Sequence, residues 1–300
     1  MNLPSTGTSV EWDERNAVEI HRYASTSQID HSVAEAYEFV VSPASGGHLD
    51  ITALYAPRQS KTLIVSFHGS LQRSKYQLPR FEWRNSLALF DAAQLFIADS
   101  TLNLNGAMAL AWYVGDSGQD FSADVTSLIQ DIAAAAGYER VLLAGSSGGG
   151  FAALAISRRI AGSVAVCFSP QTRIGDYHEA VVEKFRSVAF GEAPSYAQAE
   201  IEHRARFDLR HLYETTPDVN YVRYVQNTRD PDHYVKHYVP FAEALGIAPA
   251  DGGYDATGRI ELVPQRLQPG HQPPSRGRFR SHILAAHSAF FGVELAVQPD

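Results

Sequence analysis

The sequence predicts an α/β fold, a mostly parallel central sheet with helices on both faces. Three observations predict it. From about residue 62 onward, short apolar runs alternate with helix-compatible stretches, the order that builds parallel sheets. Several runs, such as TLIVSF (62–67), are apolar at almost every position, as strands buried on both faces are. The stretch Arg140 to Ala153, RVLLAGSSGGGFAA, passes from an apolar run through a glycine turn into a run of small residues. One buried strand there turns sharply into one helix. In such sheets, sites form beyond the carboxyl ends of the strands.

Composition narrows the function. The chain has 300 residues, 45% hydrophobic and 19% charged, with ample material for a core. A net charge of −8 argues against a nucleic-acid partner. The one cysteine, Cys167, sits in an apolar run. It can form no intrachain disulfide and is expected as a buried strand residue. The polar, acidic start carries no basic segment followed by an apolar one, and no apolar run is long enough to span a bilayer. A cytoplasmic protein without a membrane partner is therefore expected.

In chain order, residues 1–35 are mixed and polar, and an irregular N-terminal arm is expected. Tyr37 to Val41 and Leu49 to Tyr55 alternate apolar and polar residues around Ser45-Gly46-Gly47, which predicts an antiparallel hairpin. Thr62 to Phe67 is a buried strand ending at His68-Gly69-Ser70. Residues 74–92 are amphipathic, with a helix expected in the later part. Gln94 to Ala98 is a strand ending at Asp99. A loop rich in Asn, Gly and Thr leads to the Trp112-Tyr113 pair. Asp120 to Ala136 has helical spacing and stops at Gly137. Val164 to Phe168, Tyr221 to Val225 and Ile260 to Val263 complete the strands. Between the first two lie about fifty residues, far beyond an ordinary connection. Residues 171–220 are therefore expected as a helical lid insertion within a single domain spanning 1–300. Its Tyr177, His178, Phe185, Phe190, Tyr196 and Phe207 could form an aromatic wall or the lid's own core. Tyr234 to Ile247 and Ser275 to Phe291 are expected helices.

The turn Gly145-Ser146-Ser147-Gly148-Gly149 fits G-x-S-x-G in the strand, turn and helix setting of a nucleophile elbow. A serine attacks a carbonyl only if its hydroxyl stands clear of the main chain. A sharp turn achieves that, and flanking glycines relieve the crowding it causes. No Lys-Ser/Thr follows the glycines, so this is no phosphate-binding loop. Ser147 stands where G-x-G-x-x-G needs glycine, so it is no dinucleotide fingerprint.

With this elbow, residues 36–295 resemble the α/β-hydrolase family. The resemblance implies a triad in the order Ser, acid, His. Ser147 would be the nucleophile. Asp230, in the post-strand cluster Asn227 to Asp232, would be the acid, with Asp232 as the alternative. His271, in Pro269-Gly270-His271 after the last strand, would be the base. An oxyanion hole would use the Gly148 N–H and one from the loop after His68-Gly69, chiefly Ser70, with Leu71 open. This loop lacks the further glycines of HGGG-type loops. His68, Asp99, Trp112 and Tyr113 could line the pocket or pack beneath that loop. His282 and His287, on the terminal helix, are expected as surface or packing residues. His233 and His237 stand four residues apart, but no H-E-x-x-H motif surrounds them, so they are expected on the helix surface or behind the site residues rather than as metal ligands. No metal and no cofactor are expected. The stretch Gln226 to Phe241 also resembles hydrolase-like proteins of bacterial surface-glycan and accessory-secretion systems.

The expected activity is hydrolysis of a carboxylic ester through an acyl-enzyme on Ser147, with a small-molecule or acylated-glycan substrate. An acyltransferase using the same serine and a non-catalytic binding or assembly module are the alternatives.

Overall fold

Along the central strands, successive side chains go to opposite faces of one sheet, and both faces are covered. The computed structural model describes residues 11–297 of the chain. Its strands are β1 (Glu11–Asp13), β2 (Val18–Tyr23), β3 (Tyr37–Val41), β4 (Ile51–Ala56), β5 (Thr62–Phe67), β6 (Ala93–Ile97), β7 (Arg140–Ser146), β8 (Val164–Phe168), β9 (Tyr221–Asn227), β10 (Gly253–Tyr254) and β11 (Ile260–Gln265). They form one sheet in the order β1-β2-β3-β4-β6-β5-β7-β8-β9-β11-β10. From β6 to β11 the neighbours are parallel. The β3–β4 hairpin is antiparallel, and so is the join of β4 to β6.

The helices are α1 (Arg84–Leu87), α2 (Phe121–Ala136), α3 (Gly148–Ser157), α4 (Glu179–Ala189), α5 (Tyr196–Glu202), α6 (Arg204–Phe207), α7 (Leu209–Thr215), α8 (Pro231–His233), α9 (Val239–Ala244) and α10 (Arg276–Phe291). Leu63, Val65, Phe67 and Leu143 face one core with Val125, Ile129 and Ile132 of α2 and Ala152 and Ile156 of α3. Ile64, Leu142, Ala144 and Val166 face the other, under Phe279, Ile283 and Ala286 of α10. A two-sided sheet is what the unbroken apolar runs of β5, β7 and β8 require. The local signals agree with it. Asp120 caps α2 by accepting from Ala123 N–H, and Gly137 ends it in the left-handed region at φ 72°.

Several elements differ from expectation. Residues 11–23 are not an irregular arm: they add β1 and β2 to the sheet edge. The first ten residues of that arm lie outside the described residues. Residues 74–92 give only the single turn α1. Its start is held by Trp83 at φ 69°, stacked on Phe279 with ring centroids 4.1 Å apart. The helix expected from Tyr234 is built of a π-turn over Tyr234–Tyr238 and α9, with α8 directly before it.

Residues 171–220 hold α4 to α7. Phe185, Phe190 and Phe207 are buried in one continuous core with Trp112, with Phe151 and Leu154 of α3, and with Tyr224 of β9. They are core rather than a wall. Polar bonds fix this cap as well. The Arg206 guanidinium donates to the carbonyls of Val114, Asp116 and Gln119 at 2.6 to 2.8 Å. Arg158, past the end of α3, donates to Tyr213 and Thr216 carbonyls at 2.9 and 2.7 Å.

Where β7 passes into α3, space is the limiting quantity. A Cβ on Gly149 would press on the backbone carbonyls of Phe67 and His68, the latter at 2.9 Å. Neither carbonyl can yield without moving β5. Gly149→Ala is therefore expected to cost about 1–3 kcal/mol of stability, read as a lower urea midpoint. A variant as stable as the parent would contradict this account of the turn.

Candidate active site

Ser147 stands between β7 and α3 at φ 55° and ψ −123°. This is a sparsely populated conformation for any residue with a Cβ, and such strain concentrates at functional turns. The neighbouring glycines supply space, while the unusual angle falls on the serine itself. The first turn of α3 directs N–H groups with no intrahelical acceptor past the serine, beginning with Gly148. On the facing loop, the Leu71 N–H donates to the Ala109 carbonyl at 2.8 Å. The Leu71 N–H is thereby occupied. Gly69 lies against the elbow, where a Cβ would meet the Ser147 Cβ at 3.6 Å. Its own N–H faces a Glu82 carboxylate oxygen at 3.4 Å.

His68, Asp99, Trp112 and Tyr113 are all buried, at most 1% exposed, and Asp99 edges a small cavity of about 100 Å³ with Leu78 and Asn103. Three of them brace the loop. The His68 Nδ1 lies 2.8 Å from the Gly69 carbonyl, and its Nε2 accepts from the Asp99 N–H at 3.0 Å. That assigns the ring proton to Nδ1. Asp99 accepts from the Tyr113 N–H at 2.9 Å, and the Tyr113 hydroxyl bonds to the His68 N–H and the Ile97 carbonyl. Trp112 and Tyr113 hold φ values of 53° and 60° to fit this network. Burial lowers His68 to about 4 and raises Asp99 to about 6.

Asp230, just past β9, caps α8 and carries two imidazoles. His271 Nδ1 lies 2.6 Å from its Oδ2. His233 Nδ1 lies 3.3 Å from Oδ1 and 3.2 Å from Oδ2. The two rings stack with centroids 3.7 Å apart and planes 6° apart. Burial alone would raise the Asp230 carboxyl, but the bonds from His233 and His271 outweigh it and hold the group well below the usual range. The alternative acid, Asp232, is exposed and faces Lys236 at 3.8 Å, so it is not brought to His271. His282 and His287 are buried packing residues, against Arg223 and Thr62 respectively. His237 is also buried, with its Nδ1 accepting from the Thr172 N–H. Asp230, His233 and His271 present donor atoms within 4.8 Å of one another. An ion there would compete with the two Asp230 hydrogen bonds.

One side chain at the site was not expected there from the sequence. Gln171, three residues past β8, sends its Nε2 to Ser147 Oγ at 2.9 Å and to His233 Nε2 at 2.8 Å, while its Oε1 accepts from Trp112 Nε1 at 3.1 Å. Its place just past a strand end was the only signal that pointed to it. His233, expected on the helix surface or behind the site residues, stands behind them. No hydrogen bond joins Ser147 to His271 among the described residues, and the serine is 8% exposed. Leu110 packs against Gly148 and half-buried Tyr177 lies edge-on to His233, while the His271 side chain is 31% exposed. A groove of about 800 Å³ lined by His31, Tyr55, Lys61 and Tyr138 lies at the amino ends of β5 and β7, away from this chemistry.

The buried histidines set a pH dependence. Burial is the main cause holding His68, His237 and His282 down, to about 4, 3 and 4. A lowered value means the unfolded chain binds protons first as the pH falls. Stability is then complete above about pH 6.5 and declines toward pH 4, by on the order of 1 kcal/mol per pH unit for each such group. The depressed Asp230 carboxyl adds a further loss below about pH 4. The raised carboxyls of Asp99 and Glu38, at about 6 and 8, work in the opposite sense over this range. Urea midpoints are therefore expected to fall from pH 6.5 to 4.5 by less than the histidines alone would give, and a rising profile would contradict the buried neutral histidines.

No protein-family model matches the sequence, and no curated protein sequence matches it. Solved structures do. The capsule O-acetyltransferase of Neisseria meningitidis serogroup A, as a mutant in complex with CoA, superposes with a TM-score of 0.61 at 14% identity over 86% of this chain and 98% of that one. The glycosylation-associated protein complex of Streptococcus agalactiae gives 0.62 at 13% identity, over 87% of this chain and 48% of that one. An S-formylglutathione hydrolase of Agrobacterium tumefaciens gives 0.54 at 14% identity, over 88% and 98%. At these identities the likeness is one of fold, and the chain has an α/β-hydrolase-like fold.

Proposed function

We propose that this chain is a serine-dependent acyl-ester enzyme, with Ser147 as nucleophile, His271 as base and Asp230 as the acid that orients it. The observation that carries this is the 2.6 Å Asp230–His271 pair at the same end of the sheet as the strained serine of the elbow. His271 is preferred to His233 as base because its side chain is 31% exposed against 3%, so it can reach a leaving group. Ser147 Oγ bonds to the acyl carbon while its proton passes to His271. The C–O bond to the alcohol then breaks, and the alcohol leaves with that proton. The Gly148 and Ser70 N–H groups stabilise the intermediate's oxyanion. Loss of one such donor costs about 3–4 kcal/mol. Water next attacks the acyl carbon and gives a proton to His271, which returns it to Ser147 as the acid departs. Asp230 keeps the imidazole proton on Nδ1 and stabilises the imidazolium.

The substrate proposed is a small carboxylic ester, in particular an acylated sugar. Acyl transfer is the second reading. It is favoured by the burial of Ser147, 8% exposed, which limits water's access to an acyl-enzyme, and by the likeness to a capsule O-acetyltransferase. An acceptor hydroxyl then replaces water.

Fluorophosphonate labelling tests the chemistry. Wild type should label, Ser147→Ala and His271→Ala should not, and Asp230→Asn should lose about 10⁴-fold in turnover of p-nitrophenyl acetate. Product analysis with and without a sugar acceptor separates transfer from hydrolysis. A folded wild type that never labels would point to a non-catalytic binding module.

A further inference from the structure

Gln171 is tied on three sides, and the ties determine where its protons lie. An indole N–H can only donate, so the Gln171 carbonyl oxygen must face Trp112 Nε1, 3.1 Å away. The amide nitrogen then faces Ser147 Oγ at 2.9 Å and His233 Nε2 at 2.8 Å. Its two hydrogens serve these two acceptors. His233 Nε2 must therefore be unprotonated, and the single ring proton sits on Nδ1, toward Asp230. A second proton would set an imidazolium N–H against an amide N–H, and the bond holding Gln171 would be lost.

We propose that His233 is a positioning residue that, in its neutral form, holds Gln171 and through it orients the Ser147 hydroxyl. This rests on Ser147 being the nucleophile and His271 the base. Gln171 occupies one lone pair of Ser147 Oγ, so the hydroxyl proton is turned elsewhere and is free for His271. Asp230 thus serves both imidazoles: it orients the base directly and the nucleophile through His233 and Gln171.

The surroundings of His233 favour the neutral form. It is 3% exposed. Asp230, at the cap of its own helix, is the one carboxylate on it. His271 stacks on it from the β11–α10 loop, and His237 lies 5.2 Å away on the following turn. From the cap, Tyr177 lies edge-on at 5.9 Å, and His178 opposes a positive charge. Burial is the largest effect, and with the neighbouring imidazoles it outweighs Asp230, so the ring is held below its ordinary value.

The test is the rate of fluorophosphonate labelling from pH 5 to 8 in the full-length chain, with circular dichroism confirming each fold. As the pH falls, protonation of His233 should release Gln171, so the wild-type rate should fall more steeply toward pH 5 than that of a variant with no imidazole at 233. His233→Asn keeps a donor for Asp230 but cannot reach Gln171, and should slow labelling by about 10²-fold. His233→Gln carries an oxygen near the Nε2 position and does not titrate. It should label roughly 10-fold faster than His233→Asn, with a shallower acid side than wild type. Gln171→Glu, which offers Ser147 an acceptor instead of a donor, should also be slow. Wild-type rates in His233→Asn, or labelling of His233→Gln no faster than of His233→Asn, would overturn the proposal while leaving the serine mechanism standing. A wild type that never labels would overturn both.

Discussion

Everything at the site hangs from the Asp230 carboxylate. It is 2% exposed, at the point where β9 gives way to helix, and it takes hydrogen bonds from two imidazoles. A buried carboxylate is tolerable only when its charge is compensated. Here the two imidazole N–H groups do so, with help from the His233 backbone N–H. The same bonds fix both ring tautomers, and one of those tautomers fixes Gln171. The side chains that meet Ser147 are therefore ordered from the acid outward.

The scaffold makes this geometry reproducible. Ser147 is held between β7 and α3, both buried, and its strained backbone is over-determined by the contact of Gly149 with the end of β5. His68, Asp99 and Tyr113 hold the opposite wall, so the Ser70 N–H stands on a braced loop rather than a free one. The cap brings Gln171 and Tyr177 to the site because it shares a core with α3 and β9. The packing over Ser147 and the stability of the cap are thus parts of one arrangement.

The elements legible in the sequence were those whose signal is local and periodic. The unbroken apolar runs of β5 and β8, the hairpin of β3 and β4, and the run of α2 to its stop at Gly137 all stood where the pattern put them. So did the elbow, because a strand, a glycine turn and a helix leave a mark in a few adjacent residues. β1, β2 and β10 did not. β1 and β10 are short and lie at the two sheet edges, and β2, between β1 and β3, has one buried residue in six; pairing with a neighbour rather than their own composition makes them strands. The single turn at α1 was overestimated because Phe81 and Leu87 are apolar for the sake of the α10 face, not for a long helix.

By itself the sequence determined the mostly parallel sheet, the place of Ser147 on its turn, and the order in which an acid and a histidine follow it. Only the tertiary structure decided which groups meet. It paired His271 with Asp230 and left Asp232 in solvent, occupied the Leu71 N–H, and buried His68, Asp99, Trp112 and Tyr113 as a brace. It also brought Gln171 and His233 beside the serine. The physical reason is range. Backbone periodicity and turn chemistry act over a few residues, whereas the bonds around Ser147 join positions 24, 59 and 62 residues apart, and only the packed sheet brings those together.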